Sequence, residues 1–302
     1  MWSKVKANVA RRLPAARFPR RANSVKETNR ILREIQNELR EHRKYLEAYR
    51  HVVAREVLQE VGDFTAEHQL GFERTLERIA QERLSFARFG DGELKIMLRP
   101  EFNLRFQRWS PGLATDLRAV LTYDGFDPDR LLVGFPYPYR GLYWSDLWLD
   151  IWPDLRPLLR TDIAYGTTHV SRPVLFQRLG QDGVALWRQV WQDRDVCIVT
   201  GEGSRFDIVP ELFDNVASTR FVYSMPVNAY NDLPRLMGEL KNEDPDMLFL
   251  VALGPAGTLV TAWLAQMGRW AIDVGHISAS WANVFAGGKL PERLELRRPP
   301  AR

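Results

Sequence analysis

The chain reads LFLVALGPAGT at residues 248–258, a continuous apolar run that passes through a glycine-rich turn directly into a helical segment. Continuous apolar runs of this length are typical of strands that are buried on both faces of a sheet. A strand that feeds a helix in this way indicates a unit in which a helix connects two parallel strands. This stretch therefore predicts a parallel sheet covered by helices.

The same alternation of strand-like and helical segments extends from residue 84 to residue 274. Short apolar runs predict six strands, at residues 84–89, 130–135, 195–200, 220–224, 247–252 and 270–274. Amphipathic segments between them predict helices at residues 111–121, 145–159, 233–240 and 258–267. Elements that alternate in this order form a sheet with helices on its faces. The sequence therefore predicts an α/β fold with a mainly parallel sheet flanked by helices.

A long helical segment precedes this region. Residues 25–61 contain neither Pro nor Gly and are rich in Glu, Arg and Leu, which are good helix formers. In a heptad that starts at Val25 the a positions are all apolar, namely Val25, Leu32, Leu39, Leu46 and Val53. The d positions are mixed, namely Thr28, Ile35, His42 and Tyr49. We expect a coiled coil over residues 25–53 that joins two copies of the chain, the alternative being a helix that packs on its own domain.

The end of this helix and the layout of the chain follow from the next residues. Gly62 and Asp63 are expected to end the first helix, because glycine is a poor helix former. Apolar residues at helical spacing then predict a second helix that leads into the body, namely Phe64, Phe72, Leu76 and Ile79. The predicted organisation is a basic tail, a helical segment, an α/β domain and a second basic tail, at residues 1–24, 25–80, 81–288 and 289–302.

The charge of the chain is unevenly distributed. The formal net charge is +4 and the pI is near 9.2, which at first suggests a nucleic-acid partner. Residues 1–24 carry +7 and residues 289–302 carry +3, so residues 25–288 are left with a net charge of −6. An acidic body argues against nucleic acid as its ligand.

The basic N-terminal segment has the pattern of a short amphipathic helix. Trp2, Val5, Val9 and Leu13 recur at helical spacing, and Lys and Arg fill the remaining arc until Pro14. A basic amphipathic helix can lie on an anionic membrane surface, where each Lys or Arg contributes about 1 kcal/mol. The alternative is a frayed basic tail that has no partner.

Cysteine content and hydropathy indicate the compartment. Cys197 is the only cysteine, so the chain has no intrachain disulfide and no cysteine-based zinc site. The sequence has no apolar run of eighteen residues, and its first 24 residues lack the apolar core of a secretory signal. We expect a cytoplasmic protein, peripheral on the inner face of the membrane if the N-terminal segment binds there.

The residues that follow the strands are the candidates for chemistry, because ligands of parallel sheets bind beyond the carboxyl ends of the strands. After the first predicted strand the chain reads GDGE at residues 90–93, with Asp91 and Glu93 two positions apart. Paired carboxylates are suitable ligands for Mg²⁺ or Mn²⁺ that also holds a diphosphate. The alternative is an ordinary glycine-rich turn.

Two further strand ends carry glycine-rich turns. The sequence GEGSR at residues 201–205 begins like a dinucleotide-binding fingerprint but has Phe206 where a third glycine is required, which makes the motif weak. Its Glu202, Ser204 and Arg205 are candidate contacts to a phosphate or ribose, and a plain turn is the alternative. The turn at residues 254–258 exposes a helix N-terminus that can seat a phosphate, unless Thr258 is a simple helix cap.

Histidines and aromatic residues complete the set of candidates. His276 follows Asp273 just beyond the last predicted strand, where it is a candidate metal ligand or acid–base group, although a lone histidine is more often structural. His169 lies in a comparable polar loop. An aromatic loop at residues 135–144 offers flat faces for a sugar or base, and a hydrophobic cluster is the alternative. The Gly-x-Ser-x-Gly motif is absent, which disfavours a serine hydrolase of that type.

Taken in order, these motifs resemble the GT-D-type glycosyltransferases, once catalogued as a domain of unknown function. The resemblance spans residues 80–285 and rests on five ordered motifs, RFGDGE, SRP, GEGSR followed by LFDN, LGP and AIDVGHI. It implies a Rossmann-like α/β enzyme that transfers a hexose, typically glucose, from a UDP-sugar to a glycan or glycoconjugate acceptor. It also implies a divalent cation, Mn²⁺ or Mg²⁺, held through an Asp-x-Glu motif.

The resemblance assigns roles to residues of this chain. Asp91 and Glu93 stand at the Asp-x-Glu positions, and His276 stands at a motif position near the metal. These three are therefore expected to be both catalytic and metal-binding. The residues expected to contact the nucleotide are Arg88, Gly90, Arg172, Glu202, Ser204, Arg205, Gly254, Pro255 and Thr258.

The chain departs from the family pattern in two places. It has Gly254-Pro255-Ala256-Gly257 where the family tends to have Gly-Pro-Thr-Ala, which removes one hydroxyl near the expected phosphates. It has Ser278-Ala279-Ser280-Trp281 where the family tends to be acidic, which bears on the acceptor and the sugar. Two alternatives from other classes stay open at this point, a dehydrogenase or methyltransferase with the same sheet architecture and a non-catalytic scaffold held at a membrane.

Overall fold

A computed structural model of the chain describes residues 21–139, 141–204 and 206–294, and gives the backbone alone for residues 21–24 and 51. Two compact units divide between Val53 and Ala54. Most of the predicted basic tail at residues 1–24 lies outside the described residues, as do residues 295–302. Membrane binding by that tail therefore stays a prediction. No helix in the described part of the chain combines the length and the apolar character that a membrane crossing requires.

The N-terminal unit contains one long helix, α1 (Arg21–Val53). Its polar side carries ion pairs between residues three and four positions apart, such as Arg30 with Glu27 at 2.7 Å and with Glu34 at 2.8 Å. Pairs at this spacing support an exposed helix by a few tenths of a kcal/mol each. The predicted N-terminal helix is therefore confirmed, and its pairing with a second copy stays a prediction.

The predicted helix boundary at Gly62 and Asp63 is wrong. The first helix ends at Val53, and both residues lie inside α2 (Arg55–His68). Val61 and Phe64 flank them and are buried in the core of the body. Burial of these side chains outweighs the cost of about 1 kcal/mol that glycine imposes on a helix interior. The chain then enters α3 (Phe72–Gln81).

The body contains a seven-stranded sheet in which every strand pair is parallel among the described residues. Its strands are β1 (Ser85–Arg88), β2 (Leu131–Phe135), β3 (Gly166–Thr167), β4 (Asp195–Gly201), β5 (Ser218–Ser224), β6 (Leu248–Ala252) and β7 (Ala271–Asp273). Their order across the sheet is β3-β2-β1-β7-β6-β4-β5. The predicted α/β fold is confirmed, and all six predicted strands are present.

Nine α-helices accompany the described strands of the body after α3. They are α4 (Asp91–Leu98), α5 (Pro111–Thr122), α6 (Leu142–Leu155), α7 (Pro173–Leu179), α8 (Gln181–Trp191), α9 (Pro210–Phe213), α10 (Leu233–Leu240), α11 (Pro255–Gln266) and α12 (Ile277–Phe285). Short 3₁₀ helices lie at Arg156–Leu158, Thr168–Ser171, Ala229–Asp232 and Pro291–Arg293. The predicted helices correspond to α5, α6, α10 and α11, whereas α4, α7, α8, α9 and α12 were not predicted.

The sheet separates two hydrophobic cores. Successive residues of β6 point to opposite faces, so Phe249 and Val251 lie in one core while Leu248 and Leu250 lie in the other. Helices α2, α4, α5, α6, α10 and α11 cover the first face, and α3, α7, α8, α9 and α12 cover the second. Because both faces are covered, β2, β4 and β6 are buried over most of their length, which explains the continuous apolar runs in the sequence, whereas the edge strand β5 is largely exposed.

Two neighbouring strands make room for one aromatic ring at the centre of the second core. Phe86 of β1 is fully buried and lies over Gly134 of β2 and Gly166 of β3. A methyl group at position 134 would lie 2.6 Å from the tip of the Phe86 ring and 3.2 Å from the Gly166 carbonyl oxygen. The absence of side chains at these two positions therefore allows the ring to pack.

We predict that Gly134→Ala lowers the free energy of unfolding by about 1–3 kcal/mol, because the added methyl overpacks a buried site. Gly62→Ala is the matched control, since nothing lies within 4 Å of a methyl group there and the position is helical. The control should be unchanged or more stable by up to about 1 kcal/mol. Chemical denaturation measures both variants, and equal stability of the two would contradict this packing.

Candidate active site

The site is built on the segment that follows β1. Gly90 caps α4, which places Asp91 and Glu93 in the first turn of that helix. The Gly90 amide donates a hydrogen bond of 2.9 Å to Oε2 of Glu93. This bond satisfies one of the free amides of the helix start and holds the Glu93 carboxylate against the end of the strand. The predicted pair of carboxylates therefore lies at the carboxyl edge of the sheet.

A buried ion pair joins β1 to the neighbouring β7. Nη1 of Arg88 lies 3.4 Å from Oδ1 of Asp273, and each side chain is at most one-tenth exposed. The Nε of Arg88 donates to the Thr168 carbonyl at 3.1 Å. Thr258, in the first turn of α11, donates its hydroxyl to the Arg88 carbonyl at 2.8 Å. Arg88 therefore connects the ends of β1 and β7 with the segment after β3 and the helix after β6.

The ion pair between Arg88 and Asp273 requires a glycine in the turn after β7. Gly275 has φ of +48°, a conformation that favours glycine, and its amide donates to Oδ1 of Asp273 at 3.0 Å. A methyl group at position 275 would collide with the guanidinium group of Arg88. The glycine of the GHI motif is therefore required by the ion pair beside it.

Two carboxylates of the site have a raised pKa, those of Glu93 and Asp273. Burial, followed by the charges of Asp273 and Asp91, raises the pKa of Glu93 to about 7 against the opposing effect of Arg88. Burial also raises the pKa of Asp273 to about 6 against the opposing effect of Arg88. Enclosed carboxylates that disfavour their own charge form a site that attracts a cation.

Arg172 brings a second positive charge to this group. Burial lowers its pKa to about 10, with help from Arg88, while the charges of Asp91 and Glu93 act in the opposite direction. The guanidinium also forms an ion pair with Glu292, in the 3₁₀ helix Pro291–Arg293. Glu292, which the sequence predicts to lie in a basic tail, therefore contacts Arg172.

The aromatic loop after β2 also reaches the carboxylates. The hydroxyl of Tyr143, the second residue of α6, donates a hydrogen bond to Oδ2 of Asp91. Burial and the nearby Asp91 raise the pKa of Tyr143 well above its usual value, so this hydroxyl stays protonated as a donor. Tyr143 packs edge-on against Trp144, and Trp144 packs edge-on against His169. A chain of rings therefore borders the site, and Tyr143 is half exposed.

Residues 86–288 match the family described as glycosyltransferase GT-D fold. The chain belongs to this family. The resemblance deduced from the five motifs is therefore confirmed, and family membership favours a glycosyltransferase over the dehydrogenase, methyltransferase and scaffold alternatives.

Named relatives and solved structures agree with this assignment. A probable glycosyl transferase Gly of Streptococcus gordonii is 27% identical over 235 residues, covering 73% of this chain and 34% of the relative. Glycosyltransferase GlyD of Streptococcus pneumoniae serotype 4 is 28% identical over 229 residues, covering 72% of this chain and 28% of the relative. The chain thus spans about a third or less of these curated relatives.

The structural similarity is to glycosyltransferase folds. A solved structure described as a new glycosyltransferase from Streptococcus sanguinis has a TM-score of 0.68 and 26% identity, covering 77% of this chain and 90% of that one. A second, described as a domain of unknown function with a distinct glycosyltransferase fold, has a TM-score of 0.68 and 23% identity, covering 81% and 91%. The second likeness shows the fold alone.

Several residues that were expected to contact a nucleotide in this GT-D chain have structural roles. Thr258 is fully buried, and its hydroxyl is committed to the Arg88 carbonyl. The Ser204 hydroxyl accepts hydrogen bonds from the Thr200 hydroxyl at 2.7 Å and the Phe206 amide at 3.2 Å, which closes the turn after β4. Both hydroxyls are satisfied within the fold.

Of the other residues that were expected to contact the nucleotide, two lie at the start of α11 and one is exposed. Gly254 has φ of +57° and packs against the ring of Phe106, so it shapes the start of α11, and Pro255 is buried in the first turn of that helix. Glu202 is exposed beyond the end of β4. Arg205 lies outside the described residues, so its predicted contact stays a prediction.

The predicted three-residue metal set is not assembled in the part of the chain that the structure describes. No three side chains of His, Cys, Asp or Glu are grouped there closely enough to hold a metal ion. His276 stands at the N-cap of α12 and is half-buried. Asp273, three residues before His276, is a residue whose charge raises the pKa of Glu93. The role of His276 as a metal ligand therefore stays a prediction, whereas Asp91 and Glu93 do lie together.

We predict that His169 makes the protein less stable in mild acid. Burial, followed by the charges of Arg172 and Arg88, lowers the pKa of His169 from 6.5 to about 3. Below pH 6.5 the imidazole of His169 therefore binds a proton in the unfolded chain but not in the folded chain. The free energy of unfolding therefore falls as the pH falls. From pH 7 to pH 5 this loss is about 2 kcal/mol.

The measurement is chemical denaturation of wild type and His169→Gln at both pH values. The variant should lose less stability than wild type on acidification, because glutamine does not titrate. Asn37→Gln, an exposed substitution on α1 that adds and removes no titratable group, serves as a control that should respond to acid like wild type. An identical acid response of wild type and His169→Gln would contradict a neutral buried His169.

Proposed function

We propose that this chain transfers a hexose, glucose by preference, from a UDP-sugar to a glycan or glycoconjugate acceptor with the help of Mn²⁺ or Mg²⁺. The observation that carries the proposal is the pair Asp91 and Glu93, held at the carboxyl end of a central strand beside the buried Asp273. Opposite charges from Arg88 and Arg172 border this pair. Family membership supports glycosyl transfer as the reaction class.

The donor set suits a hard divalent cation. Asp91 and Glu93 offer carboxylate oxygens, and one oxygen of Glu93 is engaged by the Gly90 amide, which leaves the other for a ligand. Mg²⁺-type ions are commonly held by one or two carboxylates together with substrate phosphate oxygens and water. Two protein carboxylates without a third ligand fit that mode. When bound, such a cation stabilises negative charge on the departing diphosphate.

The chain's own cations and dipoles would support the same leaving group. Arg172 sits within the field of Asp91 and Glu93, so a diphosphate bound near these carboxylates would also meet a guanidinium. The first turn of α11 touches the end of β1 through Thr258, which brings a helix N-terminus to the same edge. Fixed positive charge in an enclosed site stabilises the charge that develops as the sugar–phosphate bond breaks.

The ring chain beside the carboxylates is the proposed seat of the sugar or the base. Tyr143 anchors Asp91 by its hydroxyl and presents its ring to solvent, and Tyr137 is also half exposed. Flat aromatic faces with polar tips are suited to the apolar face of a sugar ring. We place the acceptor near the inner membrane face, because the basic segment at residues 1–24 has the composition of a membrane-surface helix.

We predict that Asp91→Asn and Glu93→Gln each lower donor turnover at least about 100-fold, because each removes charge from the cation site. The assay is nucleotide release from UDP, GDP and dTDP sugars with Mn²⁺ or Mg²⁺, read together with the thermal shift that each nucleotide causes. Wild type should release UDP fastest and only with the cation.

Asp129→Asn and Glu56→Gln are the matched controls, because these substitutions make the same chemical changes at exposed residues away from the site. They should keep wild-type turnover, and all four variants should fold. Undiminished UDP release by both site variants, or release that chelation of the cation leaves unchanged, would overturn the proposed function.

A further inference from the structure

Helix α1 exposes an apolar face that two polar d residues, Thr28 and His42, interrupt. Ten of its large apolar side chains are exposed, with Leu39 at 64% and Leu46 at 59%. All ten fall at a, d or g of the heptad that starts at Val25, and they are Val25, Ile31, Leu32, Ile35, Leu39, Tyr45, Leu46, Tyr49, Val52 and Val53. A helix in water depends for most of its stability on covering such a face.

The opposite side of α1 is polar and satisfied within the helix. Arg30 pairs with Glu27 and Glu34, and Lys44 pairs with Glu41 at 2.8 Å. These five residues all occupy c or f positions, away from the apolar face. The charges of α1 therefore stabilise a single helix, while its apolar face is left for a partner.

We propose that α1 pairs with α1 of a second copy of this chain as a parallel, two-stranded coiled coil. The helix has 33 residues, so it is about 50 Å long and holds four complete heptads. Apolar heptads sustained over this length are typical of coiled coils. His42 occupies a d position near the middle of the seam, and a polar residue in a seam sets its register at some cost in stability.

Charge complementarity favours the parallel arrangement. In a parallel pair each g position faces the following e position of the other helix, so Glu38 at g would face Arg43 at e of the second copy. In an antiparallel pair the g positions face one another. The other g positions are Ile31, Tyr45 and Val52, none of which offers Glu38 a positive charge. The parallel arrangement therefore gains two symmetric ion pairs that the antiparallel one lacks.

The charge pattern also favours a second copy over a lipid surface. Helix α1 contains eight Lys and Arg but also five Glu, which are spread along its whole length. Helices that lie on anionic membranes carry a polar face rich in Lys and Arg, and glutamates there are repelled. The pairing concerns the residues of α1 and none of the residues of the carboxylate site, so it does not rest on the proposed function.

The first test is the molar mass of the full-length protein in solution, by size-exclusion chromatography with light scattering. We expect wild type at twice the 35.0 kDa of one chain. The double variant Leu39→Glu, Leu46→Glu should have the mass of one chain. Its matched control, Asn37→Glu with Ala48→Glu, adds the same charge at f and c and should remain paired.

A wild-type mass of one chain, or of three or more chains, overturns the proposal, as does an unchanged mass in the Leu39, Leu46 variant. Co-sedimentation of single-chain protein with anionic vesicles, lost in that variant, would assign the face to lipid and overturn it as well. The thermal unfolding of the body is recorded for each variant and should be unchanged, since the substituted side chains are exposed.

Disulfide trapping tests the orientation. The native Cys197 is fully buried, so wild type should not cross-link. In a parallel pair Leu32→Cys should cross-link to itself and Leu46→Cys should do the same, because equal positions meet across the seam. Asn37→Cys, on the outer face, should not. In an antiparallel pair each a position faces a d position, so cross-linking only in a mixture of the Leu32→Cys and Tyr49→Cys variants would show that arrangement and overturn the parallel one.

Discussion

The ion pair between Arg88 and Asp273 is the interaction on which the candidate site depends. It lies between adjacent central strands, is almost completely buried, and is supported by the Thr168 carbonyl and the Gly275 amide. Removing one partner of such a pair typically costs about 3–5 kcal/mol, because the other charge is left buried and uncompensated. The pair therefore fixes the ends of β1 and β7, and with them the starts of the segments that carry Asp91, Glu93 and His276.

The carboxylates around this ion pair are enclosed at a cost in free energy, which is common at functional sites. The charges of Asp91 and Asp273 act on Glu93, the guanidinium groups of Arg88 and Arg172 lie within the same field, and burial raises the pKa of Glu93 and Asp273. A fold selected for stability alone would not enclose Glu93 so close to a second acid. A bound ligand can offset such a cost, and the divalent cation with a diphosphate that we propose would match the charges of this site.

The sequence was sufficient to predict six of the seven described strands, because strands buried on both faces, such as β2, β4 and β6, carry continuous apolar runs that are easily recognised. It missed β3, which has only two residues, and α4, whose start reads as a glycine-rich turn. It misplaced the helix boundary at Gly62, where burial of neighbouring side chains overrides glycine's poor helix propensity.

The candidate site was predicted in part. Asp91 and Glu93 were found because both follow one strand, so their proximity is local. The partnership of Arg88 with Asp273 joins residues 185 positions apart and cannot be read from spacing, although opposite charges at two strand ends were a usable signal. Thr258 and Ser204 were assigned to a nucleotide, but their hydroxyls satisfy backbone and side-chain groups that only the folded chain brings near.

The central claim is that Asp91 and Glu93 hold a divalent cation against the diphosphate of the donor. The most direct measurement is an anomalous difference map at the manganese edge from crystals grown with Mn²⁺ and UDP. We predict one strong peak in contact with carboxylate oxygens of both residues and with a phosphate oxygen of UDP. UDP bound with no peak there, or a peak on other side chains, would contradict it.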